Sequence, residues 1–308
     1  MAKKSRSTYT AEILFIFIFG AGLCGLLFFL SIPPLPKSDE LFFYSDQTGD
    51  DLKLLMCHAL KNAKKNIDVM TFGLSDPDVI RILENQAAKG CSIRAIADQR
   101  STPKHPLVER RKKSGLNHAK VTLIDDELAL IGSANSTTAS LEMHHNFILA
   151  ARSRSLCKLL KEACFDKALR GQYEVDGLEI WLTPDKNCEN RLIELIDGAE
   201  HCIQLVLFTF THKGLISALE RAKDRGVQVD LVTDRYSKQP AIDHRVGMGP
   251  ALIHHKWALI DDETLICGSA NWTNAAFSKN RDIILIIKNL SLKQKLFCKR
   301  LWKTLDLE

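Results

Sequence analysis

Two stretches of this 308-residue chain repeat each other at a constant offset of 136 residues. Between residues 118–146 and 254–282, 13 of 29 aligned positions are identical, and the alignment needs no gap. The same offset keeps other residues in register over a longer span. The matched pairs include Ala63 with Ala199, Ile67 with Ile203, Phe72 with Phe208, Leu83 with Leu219, Gly90 with Gly226, Asp98 with Asp234 and Ser155 with Ser291. A duplicated chain is expected to fold into two similar halves.

Each half shows the same order of apolar patterns. A helix is followed by a strand, a second helix and a second strand, which ends on Asp98 or Asp234. These are predicted at 54–63, 67–72, 77–89 and 93–97 in the first half, and at 192–199, 203–210, 213–225 and 227–232 in the second. A His-x-Lys strand, two more strands and a closing helix complete the unit. Alternating strands and helices predict an α/β sandwich in each half.

Each half carries a His-x-Lys pair in an extended segment. Residues i and i+2 of a strand face the same way, so His118 and Lys120 are predicted to lie side by side, as are His254 and Lys256. A lysine supplies positive charge to phosphate oxygens, and a histidine supplies a nucleophile or a proton. The pattern therefore predicts a site for a phosphate ester.

An aspartate and a glycine-serine turn follow each pair at a fixed distance. Asp125 and Asp261 belong to the candidate catalytic set, although the acidic turn around Asp125 favours a structural role as acceptor for a backbone amide or a basic residue. The turns then provide hydroxyl and amide groups that can donate to phosphate oxygens, namely Ser133, Asn135, Ser269 and Asn271. One such motif is weak evidence, but two copies with identical spacing are strong evidence.

The complete motif, H-x-K-x4-D-x6-G-S-x-N, occupies residues 118–135 and 254–271. It resembles the hallmark of the phospholipase D superfamily, and the resemblance extends from about Asp39 to the end of the chain. It implies two duplicated α/β halves, 39–171 and 172–308, related by a pseudo-two-fold axis and sharing one active site. It further implies a reaction without metal or other cofactor, in which one histidine attacks phosphorus and the other protonates the leaving alcohol and then activates water. With both motifs in one chain, no oligomer is required to complete the site.

The resemblance assigns the nucleophile to the first motif, and one residue pair gives an independent argument. Members of the family usually have an acidic residue 28 positions after the motif histidine, which orients the imidazole; in this chain that position holds Asp282 after His254 but Asn146 after His118. A nearby carboxylate favours imidazolium. The sequence therefore predicts His254 as general acid and His118 as nucleophile, with Asp282 in the catalytic set.

The N-terminal region differs from the rest of the chain. Residues 13–30 are uncharged and rich in Phe, Leu and Ile, and Lys3, Lys4 and Arg6 precede them. At about 1.5 Å per residue, such a helix spans about 27 Å, close to the hydrocarbon thickness of a bilayer. No small-x-small cleavage site follows, which favours an uncleaved anchor over a signal peptide. Residues 1–36 are predicted to be a single-pass anchor and proline-rich spacer, with the catalytic halves on the extracytoplasmic side; secretion is the alternative.

The composition, with 45% hydrophobic and 26% charged residues, excludes a disordered or fibrous chain. The net charge of +5 is too small to indicate a nucleic-acid-binding protein by itself. The basic run Lys104–Lys113 predicts a solvated loop, with contact to a nucleic-acid backbone as the alternative. Nine cysteines, without C-x-x-C spacing or a Cys/His cluster, indicate no zinc site and leave disulfides involving Cys157, Cys164 or Cys298 open.

Three substrate classes remain open. A phospholipase D acting on a phospholipid membrane is favoured, because the predicted anchor holds the site near lipid headgroups. Trp257 and Trp272 are candidates for exposed apolar contacts, although core packing is the more ordinary role and the favoured one for Trp257. An endonuclease acting on nucleic acid is the main alternative, since the short domains and residues 268–273 resemble small nuclease-like members. A phosphatidyltransferase such as a cardiolipin synthase differs only in the acceptor alcohol, but such enzymes are usually longer.

Overall fold

The structure, a computed structural model, describes residues 32–38, 40–112, 114–167 and 169–305. The chain divides into two compact units, 1–34 and 35–308, and every strand and helix of the described residues belongs to the second unit. The apolar stretch 13–30, predicted to be an anchor, lies outside the described residues. Within the described ranges, no helix combines the length and the apolar character that a membrane span requires.

The first half is built on a seven-stranded mixed sheet. Its strands are β1 (Leu41–Ser45), β2 (Asn66–Thr71), β3 (Ser92–Asp98), β4 (Val108–Arg111), β5 (Val121–Ile124), β6 (Leu128–Gly132) and β7 (Phe147–Arg152). They lie in the order β1-β7-β6-β5-β2-β3-β4, with β2, β3 and β4 parallel to one another. The helices are α1 (Leu52–Lys61), α2 (Pro77–Ala88) and α3 (Arg154–Lys161), with short helical turns at Asp46–Thr48, Ala139–Met143 and Glu162–Asp166.

The second half repeats this sheet and adds one strand. Its strands are β8 (Gly171–Val175), β9 (Leu178–Leu182), β10 (Cys202–Leu207), β11 (Gln228–Asp234), β12 (Arg245–Gly247), β13 (Lys256–Ile260), β14 (Thr264–Gly268) and β15 (Ile283–Ile287). The helices are α4 (Lys186–Asp197), α5 (Lys213–Asp224), α6 (Asn274–Ser278) and α7 (Leu292–Leu305). Read from β9 to β12, the order β9-β15-β14-β13-β10-β11-β12 matches the first sheet strand for strand, and β8 extends the edge beyond β9.

Local chemistry explains where the repeated helices begin and end. The side chain of Asp76 caps α2 by accepting from the backbone amides of Asp78 and Val79, and Pro77 occupies the first helical turn, where no amide hydrogen is required. Gly90 and Gly226 follow the two equivalent helices with φ of +90° and +89°, a left-handed conformation that glycine adopts at little cost. The matched glycines therefore end the helices in both halves.

The two sheets share one central core. Side chains from both sheets, with others from α3 and α7, form a single buried cluster that includes Phe43, Met70, Leu149, Leu160, Val206, Trp257, Leu285 and Leu301. Each half also has its own outer core, between the other face of its sheet and the helices α1 and α2 or α4 and α5. Because the central core takes residues from both halves, the halves are held against each other by burial of apolar surface.

The mixed α/β fold and the duplicated arrangement predicted from the sequence are confirmed. Five strands, β1, β4, β8, β9 and β12, were not predicted. Strand β4 corrects the loop prediction for part of the basic run Lys104–Lys113, since Arg110 and Arg111 pair with Ala97 and Asp98 of β3. These strands lie at or next to sheet edges, where short segments of three to five residues give too little periodicity to be recognised.

The tryptophans and cysteines are core residues. Trp257 and Trp272 are 0% and 2% exposed, so the core packing favoured for Trp257 is confirmed and the suggestion of exposed apolar contacts is wrong for both. Trp257 stacks on Trp302 of α7, and Trp272 packs edge-on against Phe210. All eight cysteines within the described ranges are free thiols, and seven of them are buried. They contribute as small apolar residues.

Candidate active site

The two His-x-Lys segments meet where the halves join. The backbone amide of His118 donates to the carbonyl of Arg281 (2.9 Å), and the amide of His254 donates to the carbonyl of His145 (2.8 Å). The two bonds are reciprocal, because Arg281 and His145 are themselves related by the offset of 136 residues. Each motif is thus fixed by the other half, and the structure brings both histidines and both lysines together.

An aspartate at the end of a strand holds the segment that leads into each motif. Asp98 of β3 accepts from the backbone amide of Asn117 (3.0 Å), and Asp234 of β11 accepts from that of Ile253 (2.8 Å). Each acceptor therefore fixes the residue just before the motif histidine. The repeat pairs these two aspartates, and this pairing is the pattern that identifies them as part of the site.

Asp282 pairs with the histidine of the opposite half. Its Oδ1 accepts from Nδ1 of His118 (2.7 Å), whereas Nδ1 of His254 donates to Oδ1 of Asn146 (3.0 Å). The prediction that Asp282 orients His254 is therefore wrong. The reason is geometric: residues 146 and 282 lie at the junction, where their side chains cross into the other half. His254 was predicted to be the more readily protonated histidine because Asp282 was expected beside it, and this argument no longer applies.

The glycine-serine turns position these partners. The hydroxyl of Ser133 donates to Oδ1 of Asn146 and that of Ser269 donates to Oδ1 of Asp282, both at 2.7 Å. A hydroxyl has one proton to donate, so the prediction that these serines donate to phosphate is corrected. A Cβ on Gly132 or Gly268 would lie 2.1 or 2.2 Å from a carbonyl oxygen of the adjacent strand. Glycine is therefore required where this strand approaches residue 146 or 282.

Asn146 is held by contacts that an aspartate cannot make. Its side-chain nitrogen donates to the carbonyls of Ser140 (2.8 Å) and His144 (3.2 Å). A carboxylate oxygen in that place would face two carbonyl oxygens. The backbone amide of Asn146 donates to the carboxylate of Asp46 (2.9 Å). In the other half, the backbone amide of Asp282 donates instead to the hydroxyl of Thr183 (3.0 Å). The difference between the halves is thus supported by the surroundings of residue 146.

Both motif lysines are buried. Nζ of Lys120 donates to the carbonyl of His118 (2.5 Å), and Nζ of Lys256 donates to that of His254 (2.7 Å). Burial lowers the pKa of Lys120 to about 7. Burial, followed by repulsion from Lys120, lowers the pKa of Lys256 well below its ordinary value. An anion between them would stabilise both charges.

The histidines are shifted in the same direction. Burial lowers the pKa of His118, Lys120 lowers it further, and Asp282 opposes both effects. Burial and the two lysines lower the pKa of His254 well below its ordinary value. Burial alone would raise the pKa of Asp282, but attraction to His118 and Lys120 and the bonds from His118 and Ser269 outweigh it, so the net shift is downward. His118 therefore has a carboxylate partner, whereas His254 has a neutral amide partner.

Two aromatic rings complete the walls of the site. The ring of Phe72 lies 5.6 Å from that of His118, and the ring of Phe208 lies 5.1 Å from that of His254. Nζ of Lys120 and Nζ of Lys256 lie 5.8 and 5.0 Å from the same two ring centres. The two phenylalanines are matched by the repeat, so their presence at the site was detectable from the sequence, although their role was not.

The remaining motif residues divide into two groups. Asn135 and Asn271 are partly exposed next to the site, and Oδ1 of Asn271 has no hydrogen-bond partner among the described residues. Asp125 and Asp261 do not reach the histidines. Each accepts from three successive backbone amides, Lys64–Asn66 for Asp125 and Glu200–Cys202 for Asp261. These contacts agree with the structural role favoured for Asp125.

Similarity to known proteins extends over both halves of the chain. A family model described as "Cardiolipin synthase, PLD-like domain" matches it twice, at residues 56–167 and 192–302. Mitochondrial cardiolipin hydrolase of Homo sapiens is 30% identical over 125 residues, which cover 37% of this chain and 50% of that protein. A phospholipase D of Rickettsia typhi is 28% identical over 123 residues, covering 36% of this chain and 60% of that protein. The chain thus spans about half the length of the human relative.

A solved structure supports the fold over most of the chain. Phosphatidylserine synthase of Haemophilus influenzae superposes with a TM-score of 0.69 and covers 88% of this chain and 86% of its own. At 12% sequence identity, this likeness concerns the fold alone. The two family matches together cover more than half of the sequence, and each includes one complete motif. The chain therefore belongs to the phospholipase D superfamily and carries two copies of its domain.

Proposed function

We propose that the protein is a metal-independent phosphodiesterase that hydrolyses the headgroup ester bond of phospholipids through a phosphohistidine intermediate. One observation carries the proposal. Two buried lysines and two buried histidines surround a space in which Asp282 is the carboxylate bonded to a motif histidine. Burial lowers the pKa values of these basic groups, and a bound anion would restore their charged forms, which suits the phosphate of a diester. The motif residues with these roles are His118, Lys120, His254 and Lys256.

In the first step, His118 is the nucleophile. The bond from its Nδ1 to Asp282 leaves the lone pair of Nε2 free to attack phosphorus, and the carboxylate stabilises the positive charge that then develops on the ring. Lys120 and Lys256 neutralise charge on the phosphoryl oxygens. The bond from phosphorus to the leaving oxygen breaks, and His254 gives that oxygen a proton. The bound phosphate raises the pKa of His254, which allows it to hold this proton.

In the second step, water removes the phosphoryl group. His254, now neutral, takes a proton from water as the oxygen attacks phosphorus. The bond between phosphorus and Nε2 of His118 breaks and returns its electron pair to the ring. His254 is again protonated and His118 is again neutral, so both histidines return to their starting states. An alcohol in place of water would give a phosphatidyltransferase from the same arrangement.

Lipid is favoured as substrate by two lines of support. Relatives named as a cardiolipin hydrolase and a phospholipase D match 37% and 36% of the chain. The apolar stretch 13–30, as an anchor, would hold the site beside a membrane on its extracytoplasmic face. An endonuclease is the second candidate, favoured by the exposed basic side chains Arg100 and Lys112 near His118. These could contact a nucleic-acid backbone.

The test uses the full chain, purified and freed of metal with a chelator. It is incubated separately with phosphatidylcholine, cardiolipin and single-stranded DNA, and the products are identified by mass spectrometry. Release of phosphatidic acid or of a headgroup alcohol, lost in the His118→Ala and His254→Ala variants, is the expected result. Cleavage of DNA without cleavage of lipid would support the endonuclease instead. Loss of activity with the chelator would contradict the metal-independent mechanism.

A further inference from the structure

The two sides of the active site carry different surfaces. Asp98 and Asp234 each accept a second backbone amide, two residues further along the chain, from Arg100 (2.9 Å) and Tyr236 (2.8 Å). Because the same aspartates hold the residues before His118 and His254, Arg100 and Tyr236 occupy equivalent places beside the two histidines. One place holds a guanidinium, which is partly exposed and also paired with the carboxylate of Asp98 (2.7 Å), and the other holds an exposed aromatic ring.

A second pair of positions shows the same contrast. Strand β12 ends at Gly247, which pairs with Asp234, and Met248 follows. Strand β4 ends at Arg111, which pairs with Asp98, and Lys112 follows. The equivalent residues are therefore an exposed methionine beside His254 and an exposed lysine beside His118.

A third pair completes the contrast. Met143 comes directly before His144, whose ring lies 6.2 Å from the ring of His254. Its equivalent at the offset of 136 is Lys279, whose carbonyl packs against Gly115 on the other side. Arg100 also donates to the carbonyl of Gly115 (2.8 Å), which places these basic residues together. We call Met143, Tyr236 and Met248 the apolar rim, and Arg100, Lys112 and Lys279 the basic rim.

The apolar rim is unusual for its exposure. Among the described residues, five large hydrophobic side chains are exposed, and the three of the apolar rim are 63%, 68% and 67% exposed. The other two, Leu292 and Leu296, lie on α7. Single exposed apolar residues are common, but a group beside a functional site marks a surface that contacts a partner. The guanidinium of Arg235 lies 4.9 Å from the ring centre of Tyr236 and donates to the carbonyls of Met248 and Gly249, which holds two members of the rim together.

We propose that the two rims dock the active site on an anionic lipid surface. The apolar rim enters the boundary between headgroups and acyl chains, and the basic rim contacts phosphates of neighbouring lipids. The inference rests on the proposed function and names its substrate class as lipids in an anionic membrane. Nucleic acid would use the basic rim but would leave two methionines exposed to water. A lipid surface offers both an apolar layer and negative charge, so it fits both rims at once.

The two rim methionines allow a direct test that does not depend on activity. The full chain is mixed with lipid nanodiscs of phosphatidylcholine alone or with added phosphatidylglycerol, and hydrogen peroxide is applied. Mass spectrometry gives the rate of sulfoxide formation at Met143 and Met248, with the buried Met56 and Met70 as internal references. Docking predicts that anionic discs slow oxidation at both rim positions about fivefold relative to phosphatidylcholine discs, because a buried thioether is shielded from the oxidant.

Equal oxidation rates on both discs would overturn the inference, as would protection by single-stranded DNA without protection by lipid. Methionine oxidation reports docking and does not depend on activity. If the proposed function were wrong but docking right, the wild-type chain would cleave no lipid while anionic discs still protected both methionines.

Substitutions give the second measurement. A variant with Met143→Ser, Tyr236→Ser and Met248→Ser should cleave lipid in anionic discs about tenfold more slowly, while its rate on the water-soluble diester bis(p-nitrophenyl) phosphate changes less than about twofold. Leu292→Ser is the control. Leu292 is also exposed, but it lies near the turn after β13, whereas the active-site residue Lys256 is at the other end of that strand. Lys112→Met, which installs the residue of the equivalent position, should weaken the preference for phosphatidylglycerol. Unchanged lipid cleavage by the triple variant would contradict docking.

Discussion

His118 and His254 occupy equivalent positions in the duplicated chain, but their partners differ. His118 bonds to the carboxylate of Asp282, and His254 bonds to the amide of Asn146. A carboxylate stabilises a ring that becomes positive during attack on phosphorus, whereas an amide leaves the ring easier to deprotonate. The comparison supports His118 as the nucleophile and His254 as the group that transfers protons. This is the assignment predicted from the sequence, but it now rests on the opposite pairing.

The same comparison shows that Asn146 is not simply an aspartate that has been lost. The side-chain nitrogen of Asn146 donates to two backbone carbonyls. The corresponding atom of Asp282, Oδ2, has no hydrogen-bond partner among the described residues. Each half has therefore adapted its surroundings to its own residue. The duplicated halves thus keep the motif but differ in the partner that each supplies to a motif histidine.

The largest expected effect separates the two histidines. With bis(p-nitrophenyl) phosphate the leaving group needs no proton, so His254→Asn should still release one equivalent of p-nitrophenolate and then stop, because no base activates water. His118→Asn should release none, with a loss of about 10⁵-fold in rate. The measurement is rapid-mixing absorbance, with mass spectrometry of the phosphorylated peptide. A burst from the His118 variant, or a label on His254, would reverse the assignment.

The second effect concerns the carboxylate. Asp282→Asn should lower kcat by about 10³-fold, because the imidazole of His118 loses both its orientation and the charge that stabilises its positive form. The thermal midpoint should also fall at neutral pH, because the lowered pKa of Asp282 means that its ionised carboxylate stabilises the folded state through His118 and Lys120. Steady-state kinetics and calorimetry provide the two measurements. Retention of more than a tenth of kcat would show that the asymmetry between the histidines is unimportant.

The third effect tests whether the surroundings of residue 146 require an amide. Asn146→Asp should lower the free energy of unfolding by about 2 kcal/mol at neutral pH, because a carboxylate oxygen would face the carbonyls of Ser140 and His144. Urea unfolding measures the difference, and Asp282→Asn is the control for the reverse exchange. If Asn146→Asp were as stable as the wild type, the amide would be incidental and the halves more alike than the contacts indicate.

The smallest effect concerns a buried cation. Lys120→Met should raise the thermal midpoint by about 3 °C at pH 6 while abolishing activity. The pKa of Lys120 is lowered from 10.5 to about 7, so the folded state bears the full cost of the buried charge below pH 7. That cost falls as pH rises from 7 towards 10.5, and the gain from the substitution should shrink over the same range. Calorimetry across this range is the measurement.

Inorganic phosphate provides the control for this last experiment. Phosphate should raise the midpoint of the wild type, because the anion restores the charged form of Lys120, and should have less effect on the Lys120→Met variant. A gain that grows with pH, or that phosphate does not alter, would mean that the buried charge is not what limits stability.

Much of the fold was predictable because the determining patterns are local. Apolar periodicity indicated β2, α2, β3 and their counterparts in the second half, and Gly90 and Gly226 marked the ends of two helices. Strands β4 and β12 were not predictable, because a short edge strand is defined by the backbone of its neighbour. Trp257 and Trp272 showed the limit of composition, since large apolar side chains near a motif can serve either core or partner.

The sequence by itself determined the duplication, the two motifs and the histidines and lysines that form the site, since constant spacing along the chain carries all of these. Only the tertiary structure decided that Asp282 serves His118, that Ser133 and Ser269 hold positions 146 and 282, and that Asp125 and Asp261 bind loop amides away from the histidines. It also brought His144, which follows Met143, beside His254. The physical reason is that these contacts cross between halves or between distant loops, where the docking of two sheets, and not spacing along the chain, sets which side chains meet.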